Sequence, residues 1–293
     1  MKIFAEKQYL SLIKKILREG VKEEGRNGVV YKIIGSQMRY PLDNGSIPLL
    51  TTKKLAWKVC LKELLWFISG KTDNQILKDQ GVKIWNKNGS REYLDSLGLI
   101  NRLENDLGPV YGHQWRHFNA PYFDCDLDYT GEGVDQLKAI VEALKDDEGR
   151  KSRRILMSSW NPCQLHEMAL PPCHVLSQYH VTEGNKLTCN VYQRSADVGL
   201  GLPFNIASYS FLTHLLAHHC DLEATELIHT VGDAHIYEEH VDVLEEQIKR
   251  RPLSPPLIKF LENKKEEIED YELNDFTIED YNYYDEIKME MKA

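Results

Sequence analysis

The chain has 293 residues, 42% of them hydrophobic and 28% charged, an ordinary globular composition with enough length to bury a sizeable core. Lysine and arginine total 36 against 45 for aspartate and glutamate, a formal charge of −9, which argues against a broad basic surface for non-specific nucleic-acid binding but allows a local phosphate pocket. Six scattered cysteines without a CxxC, acid and lysine at Glu6 and Lys7, and no apolar run near the roughly eighteen residues of a membrane span set the expectation of a cytoplasmic protein with reduced thiols and no membrane segment.

Residues 7–20, KQYLSLIKKILREG, space Leu10, Ile13, Ile16 and Leu17 along one face and end in Gly20, which predicts an amphipathic helix with a glycine stop. VVYKIIGSQMRY at 29–40 is β-branched and aromatic and predicts a strand, and DNGS at 43–46 predicts a turn. Residues 57–70, WKVCLKELLWFISG, are apolar nearly all round, the mark of a buried helix. In its middle stands one acid, Glu63, and a buried carboxylate is costly unless it is bonded or put to use. Residues 72–135 are polar and turn-rich and read as long surface connections, broken by LGPVYGHQW at 107–115.

A second amphipathic helix is expected at 134–147, then strands at 153–160, 174–181 and 186–194. Period-two alternation in the last puts Leu187, Cys189, Val191 and Gln193 on one face. A buried helix follows at 205–220 and an amphipathic one at 233–250, while 261–293 is acidic enough to compose like a disordered tail. Strands mixed with helices, without regular alternation or an evident linker, predict one α+β domain over 1–293.

Cys173 stands in MALPPCHVLSQYH, where two prolines fix the backbone direction before it. A lone cysteine is most often a small core residue, but a rigid mount suits a thiol that must meet a substrate atom. Cys163, His166, Cys173 and His174 lack zinc-site spacing, and His214 with His218 lacks the glutamate of a zincin pair, so no metal is expected. A hydrolase nucleophile served by His235 and Asn205 stays open on inventory alone. Arg194 beside Ser195 forms a plausible phosphate grip, and Arg153, Arg154 and Arg194 around one thiol would favour its thiolate. Asn205 reads as a helix N-cap or as an amide that reads a ring edge, and His235 and Tyr237 can bond a sugar hydroxyl.

Taken together, LPPCH, YQRSAD, GLPFNIAS, GDAHIY and the terminal IKMEM resemble the thymidylate synthases, and RNGVVYKIIGSQMRY, PLLTTKK, KELLWF and DLGPVYGHQWRHF extend the likeness back to about residue 20. The resemblance implies reductive methylation of dUMP to dTMP, with 5,10-methylenetetrahydrofolate as co-substrate and no metal. It implies Cys173 as nucleophile at uracil C6, Glu63 as buried acid of a proton relay, Asn205 as reader of the pyrimidine edge and Tyr111 near the proton-removal step. For dUMP it implies Arg26, Gln193, Arg194, Ser195, Asp197, His235 and Tyr237, with Arg153 and Arg154 entering from the partner of a homodimer. For folate it implies Ile84, Trp85, Asp197, Leu200, Gly201, Phe204 and a closing terminus at Ala293. The implied fold is a bent mixed sheet flanked by helices, with the sheets of two subunits face to face. Lys292 before Ala293, Asn86, Asn88 and Glu239 depart from the common family pattern. A dCMP hydroxymethylase would need a carboxylate at Asn205; a silent nucleotide- or RNA-binding homologue is the other alternative, and nucleic acid is not expected in catalysis.

Overall fold

The computed structural model describes residues 5–25, 27–261 and 264–291, so Arg26, Lys292 and Ala293 lie outside the described residues. Helix α1 (Glu6–Glu19) buries Tyr9, Leu10, Leu12, Ile13 and Ile16, and Gly20 leaves helical geometry at φ −65°, ψ 138°. It packs on strand β2 (Gly28–Pro41), which forms a hairpin with β1 (Val21–Gly25). All five residues of β1 are exposed, so no apolar alternation announced that strand. The DNG turn follows with Asn44 at φ 57°, and helix α2 (Trp57–Ile68) buries Glu63 among Cys60, Leu61, Leu64, Trp66, Phe67 and Ile68.

The expectation of long surface connections at 72–135 is corrected. That stretch holds α3 (Asn74–Asp79), α4 (Arg91–Ser96) and α5 (Tyr111–Arg116), and it buries Leu77, Trp85, Leu94 and Asp106. The polar text that reads as loop contains the caps: Asp73 accepts from the Gln75 N–H and Ser90 from the Tyr93 N–H.

Helix α6 (Gln136–Lys145), capped by Asp135, leads into β3 (Leu156–Ser158), shorter than the strand expected at 153–160. Then come β4 (His174–Thr182), β5 (Lys186–Asp197), α7 (Gly201–His219) and β6 (Glu223–Tyr237). The sheet runs β1-β2-β6-β5-β4-β3, and β5 and β6 are its parallel pair. Parallel neighbours need a crossover, and α7 supplies it, buried nearly all round against the sheet. Leu187, Cys189, Val191 and Gln193 are all buried, as the alternation predicts. This is the expected α+β architecture, a mixed sheet flanked by helices.

Three further expectations change. Asn205 is no N-cap, because α7 already begins at Gly201: the Asp197 carboxylate accepts the N–H groups of Gly199 and Leu200, and Pro203 is tolerated in the first turn. Residues 233–237 are strand rather than helix, since β6 pairs with both β2 and β5 through Tyr237 and Asp197. The helix α8 starts only at Val241 (Val241–Gln247). The expectation of a disordered tail is corrected for the described residues from 264 to 291: β7 (Leu257–Phe260) pairs with β8 (Phe276–Glu279), and Ile268, Tyr271 and Phe276 are buried. Its acids form capping boxes, Glu267 with Asp270 and Glu272 with Asp275.

Candidate active site

Because β5 and β6 run parallel, both end at one edge of the fold, where Ser195 pairs with Asp233 and Asp197 with His235. Antiparallel β4 begins at that edge, with His174 opposite Gln193. Cys173 therefore enters where three strands meet, and both its backbone groups are held. Its N–H donates to the Tyr111 hydroxyl at 2.8 Å, and its carbonyl accepts from the Arg194 N–H at 2.9 Å. The Arg194 guanidinium donates to the carbonyls of Pro172 at 2.8 Å and Pro171 at 3.0 Å and lies over the Trp160 ring at 5.6 Å. The thiol itself is half-buried at a cavity of about 290 Å³.

Glu63 reaches this cavity from α2. It is 8% exposed and accepts one hydrogen bond, from the Trp85 indole N–H at 2.7 Å. Burial pushes its carboxyl up to about 7, against the partial opposition of that bond. A carboxyl so placed is half protonated near neutrality, which suits proton transfer. Burial also lifts the Tyr111 phenol well above its ordinary value, with neighbouring Cys173 adding to the effect.

Asn205 is fixed by a one-way chain of hydrogen bonds. Burial holds His174 down to about 4 and His229 down to about 3, so both rings are neutral at neutral pH. His229 Nε2 donates to Gln193 Oε1 at 2.8 Å, and Gln193 Nε2 donates to Asn205 Oδ1 at 2.8 Å and to the Ser195 carbonyl at 2.9 Å. Asn205 Nδ2 donates in turn to His174 Nε2 at 2.6 Å. The amide thus has a defined sense, with one N–H and one lone pair left over for a ligand.

The opposite wall is apolar: Ile84, Trp85, Leu200 and Phe204, closed by Met291 near the end of the described chain. Asp197 and Gly201 border it. Thus Glu63, Ile84, Trp85, Tyr111, Cys173, Gln193, Ser195, Asp197, Leu200, Gly201, Phe204 and Asn205 come together. Arg194 stands behind the Cys173 backbone, while His235 and Tyr237 close the end of β6 beside Asp197. His235 Nδ1 bonds Asp233 Oδ1 at 2.9 Å, so it is committed elsewhere than to the thiol as a hydrolase base.

The expected cluster of Arg153, Arg154 and Arg194 around one thiol is not formed within the chain. Arg153 and Arg154 are exposed, and the Arg153 carbonyl accepts from Gln178 Nε2. At the rise of a strand, Gln178 lies roughly 15 Å along β4 from Cys173. The antiparallel register Leu156–Gln178 carries those arginines to the far end of the sheet. Of the other histidines, His214 Nε2 bonds the Ser46 carbonyl at 3.0 Å and His218 stacks on Phe260. Among the described residues no group of three or more His, Cys, Asp or Glu could hold a metal.

Sequence reasoning missed His174, His229 and Met291. His174 follows Cys173 directly, and its place in the sequence suggests only a metal ligand. His229 would have emerged from period-two alternation in β6, had that strand been read.

A family model described as thymidylate synthase matches residues 7–293. The chain is 53% identical over 287 residues to a bifunctional dihydrofolate reductase-thymidylate synthase of Paramecium tetraurelia, covering 98% of this chain and 61% of that protein. It is 50% identical over 298 residues to the thymidylate synthase of Saccharomyces cerevisiae (98% and 97% covered), and 51% identical over 287 residues to that of Homo sapiens (98% and 90% covered). The chain spans between 55% and 61% of the length of the bifunctional relatives from Paramecium and Leishmania that it matches.

Proposed function

The chain belongs to the thymidylate synthase family, and from that premise we propose that it converts dUMP to dTMP, with 5,10-methylenetetrahydrofolate supplying both the carbon and the hydride and leaving as dihydrofolate. The observation that carries this reading is the meeting, at one cavity, of a half-buried thiol, a carboxyl raised to about 7 and an amide of fixed sense.

In this mechanism the Cys173 thiolate adds to uracil C6, and the electron pair moves through C5 to O4 as an enolate, making C5 nucleophilic. Asn205 donates to O4 and accepts from N3–H, which a cytosine ring cannot satisfy in the same sense; the chain from His229 keeps the amide from turning over. Glu63 holds and returns protons beside the pyrimidine, and Tyr111 steadies the nucleophile by accepting its backbone N–H. Arg194 and Ser195 take the phosphate, together with Arg26; His235 and Tyr237 take the sugar. The flat apolar wall of Ile84, Trp85, Leu200 and Phe204 fits a folate ring, and the Asp197 carboxylate has lone pairs beyond the two N–H groups it caps. Once C5 has bonded to the folate methylene, C5 gives up its proton to a base at the site and the bond from that carbon to the folate nitrogen breaks. The exocyclic methylene then takes the hydride from tetrahydrofolate, which leaves as dihydrofolate, and the displaced electron pair expels Cys173 as thiolate.

The active unit in this reading is a homodimer in which Arg153 and Arg154 reach the partner's phosphate site. What supports it is the sheet face turned away from α7, where Leu156 and Tyr192 stay 41% and 43% exposed in ladder rows with Gln178, Leu176 and Asn190. Apolar side chains left exposed on a sheet face gain by being covered. The exposed arginines lie at the same sheet's edge. The six cysteines form no disulfide, which suits a cytoplasmic setting, and no helix among the described residues is long and apolar enough to cross a membrane.

The test is incubation with 5-fluoro-dUMP and methylenetetrahydrofolate, followed by mass spectrometry. A ternary adduct on the peptide bearing Cys173, absent in Cys173→Ser, is expected. No adduct, or preferred turnover of dCMP over dUMP, would overturn the assignment. For the dimer, mixing Cys173→Ser with Arg153→Ala should restore activity through hybrid subunits; failure despite proven subunit exchange counts against the shared site.

A further inference from the structure

Part of the cavity wall comes from the segment that reaches Met291, which lies outside any strand or helix. Upstream it is tied by the Tyr284 N–H on the Thr51 carbonyl at 2.8 Å and by Arg250 on the Asp285 carbonyl at 2.9 Å. The next tie toward its end comes from His240, in the 3₁₀ turn after β6. This ring is 1% exposed, and its Nε2 lies 2.9 Å from the Glu290 carbonyl oxygen. A carbonyl only accepts, so Nε2 carries the proton.

The other edge of the ring faces the turn at Asp197. His240 Nδ1 is buried with no hydrogen-bond partner among the described residues, 4.0 Å from Asp197 Oδ1. That same oxygen accepts the N–H groups of Gly199 at 2.8 Å and Leu200 at 3.3 Å. The turn is held from beneath, where Tyr9 donates to the Val198 carbonyl at 2.9 Å and Lys53 to the Gly199 carbonyl at 2.6 Å. The packing leaves no slack: a Cβ on Gly199 would lie 3.1 Å from His240 Nδ1 and 3.1 Å from Met289 Sδ. The Tyr237 ring also meets the imidazole, centroids 5.6 Å apart.

We propose that His240 is a positioning residue that ties the segment bearing Met289 and Met291 to the Asp197 turn and so sets the width of the cavity on the side that, in the reading above, takes folate. Wild type, His240→Ala, His240→Gln and Gly199→Ala, each as the full chain, test it. Hydrogen exchange on peptides covering 285–291 reads the tie without turnover. Losing one hydrogen bond in His240→Ala should speed exchange there by roughly fivefold to tenfold. His240→Gln should recover most of the protection, because its amide can donate to the same carbonyl. Gly199→Ala keeps the imidazole but crowds it and Met289, and should also speed exchange.

In steady state the KM for methylenetetrahydrofolate should rise by a similar factor while that for dUMP moves less than twofold, a split that general destabilisation would not produce. Unchanged exchange, or faster exchange with both KM values moving together, in variants that retain wild-type near-UV circular dichroism overturns the proposal. Should His240→Ala not fold, His240→Gln and Gly199→Ala decide it. If wild type shows no folate-dependent turnover of dUMP, the enzymatic reading fails by itself, and the exchange measurement still decides whether His240 ties the segment.

Discussion

Replacing Glu63 by glutamine should make the protein more stable and less active, by an amount that depends on pH in a defined way. The carboxyl sits at about 7 in the fold against an ordinary 4.5, and burial is the cause. Between those values the folded protein keeps a proton that the unfolded chain has released. Stability therefore falls as pH rises through the window and stays low above it. At 1.36 kcal/mol per pH unit the full cost is about 3 kcal/mol, a large part of the usual 5–15 kcal/mol. Glutamine has no proton to lose, and its Oε1 can keep the Trp85 indole bond.

The assay is urea unfolding of both proteins at pH 5 and pH 8, at one fixed concentration because the stability of the proposed dimer would depend on it. Variant minus wild type should grow by roughly 2–3 kcal/mol between the two pH values. Titration of His174 and His229, held near 4 and 3 by burial, cancels in that difference. In parallel, kcat of Glu63→Gln should fall by roughly 10²–10⁴. A stability difference equal at both pH values would refute the claim that a buried, raised carboxyl is held there at a cost to stability for proton transfer.

Tyr111→Phe removes the acceptor of the Cys173 N–H and leaves that donor unpaired at a cost of about 1–3 kcal/mol; kcat for dUMP should drop roughly 10- to 100-fold with little change in dUMP Kd, and a kcat within twofold of wild type refutes the role. Asn205→Asp keeps the acceptor for Gln193 but cannot donate to His174 when ionised, so the ratio of kcat/KM for dCMP to that for dUMP should rise; an unchanged ratio counts against the amide as reader. Gly108→Ala tests the fold alone: Gly108 sits at φ +76°, and a Cβ there would overlap the Glu167 carbonyl oxygen. About 3 kcal/mol should be lost, seen as a Tm lower by roughly 5–10 °C.

What could be read in the sequence divides along physical lines. Where one face of an element is buried, its period survives in the text, so α1, α2, α6 and β5 were legible, as was the lone acid of α2. Where local polar groups do the folding, composition misleads: Asp73 and Ser90 look like loop residues because they are caps, and the acids of 267–275 look like a disordered tail because they too cap turns. β6 was hidden for a related reason, since Asp233, His235 and Glu226 on its mixed faces resemble the helix that follows it.

The cavity residues were named from motifs, but their grouping depends on register, which no motif contains. One parallel pairing, β5 with β6, brings His229 within reach of Gln193, and α7, the crossover between those strands, brings Asn205 to Gln193 and to the His174 ring beside Cys173. One antiparallel register, β3 with β4, takes Arg153 away from that thiol within the chain. The same sheet therefore supplies an oriented amide at one end and two exposed arginines at the other. A face-to-face pairing of two such sheets would let the second set complete the first, which is why the hybrid-dimer mixture tests the fold's geometry as directly as it tests the enzyme.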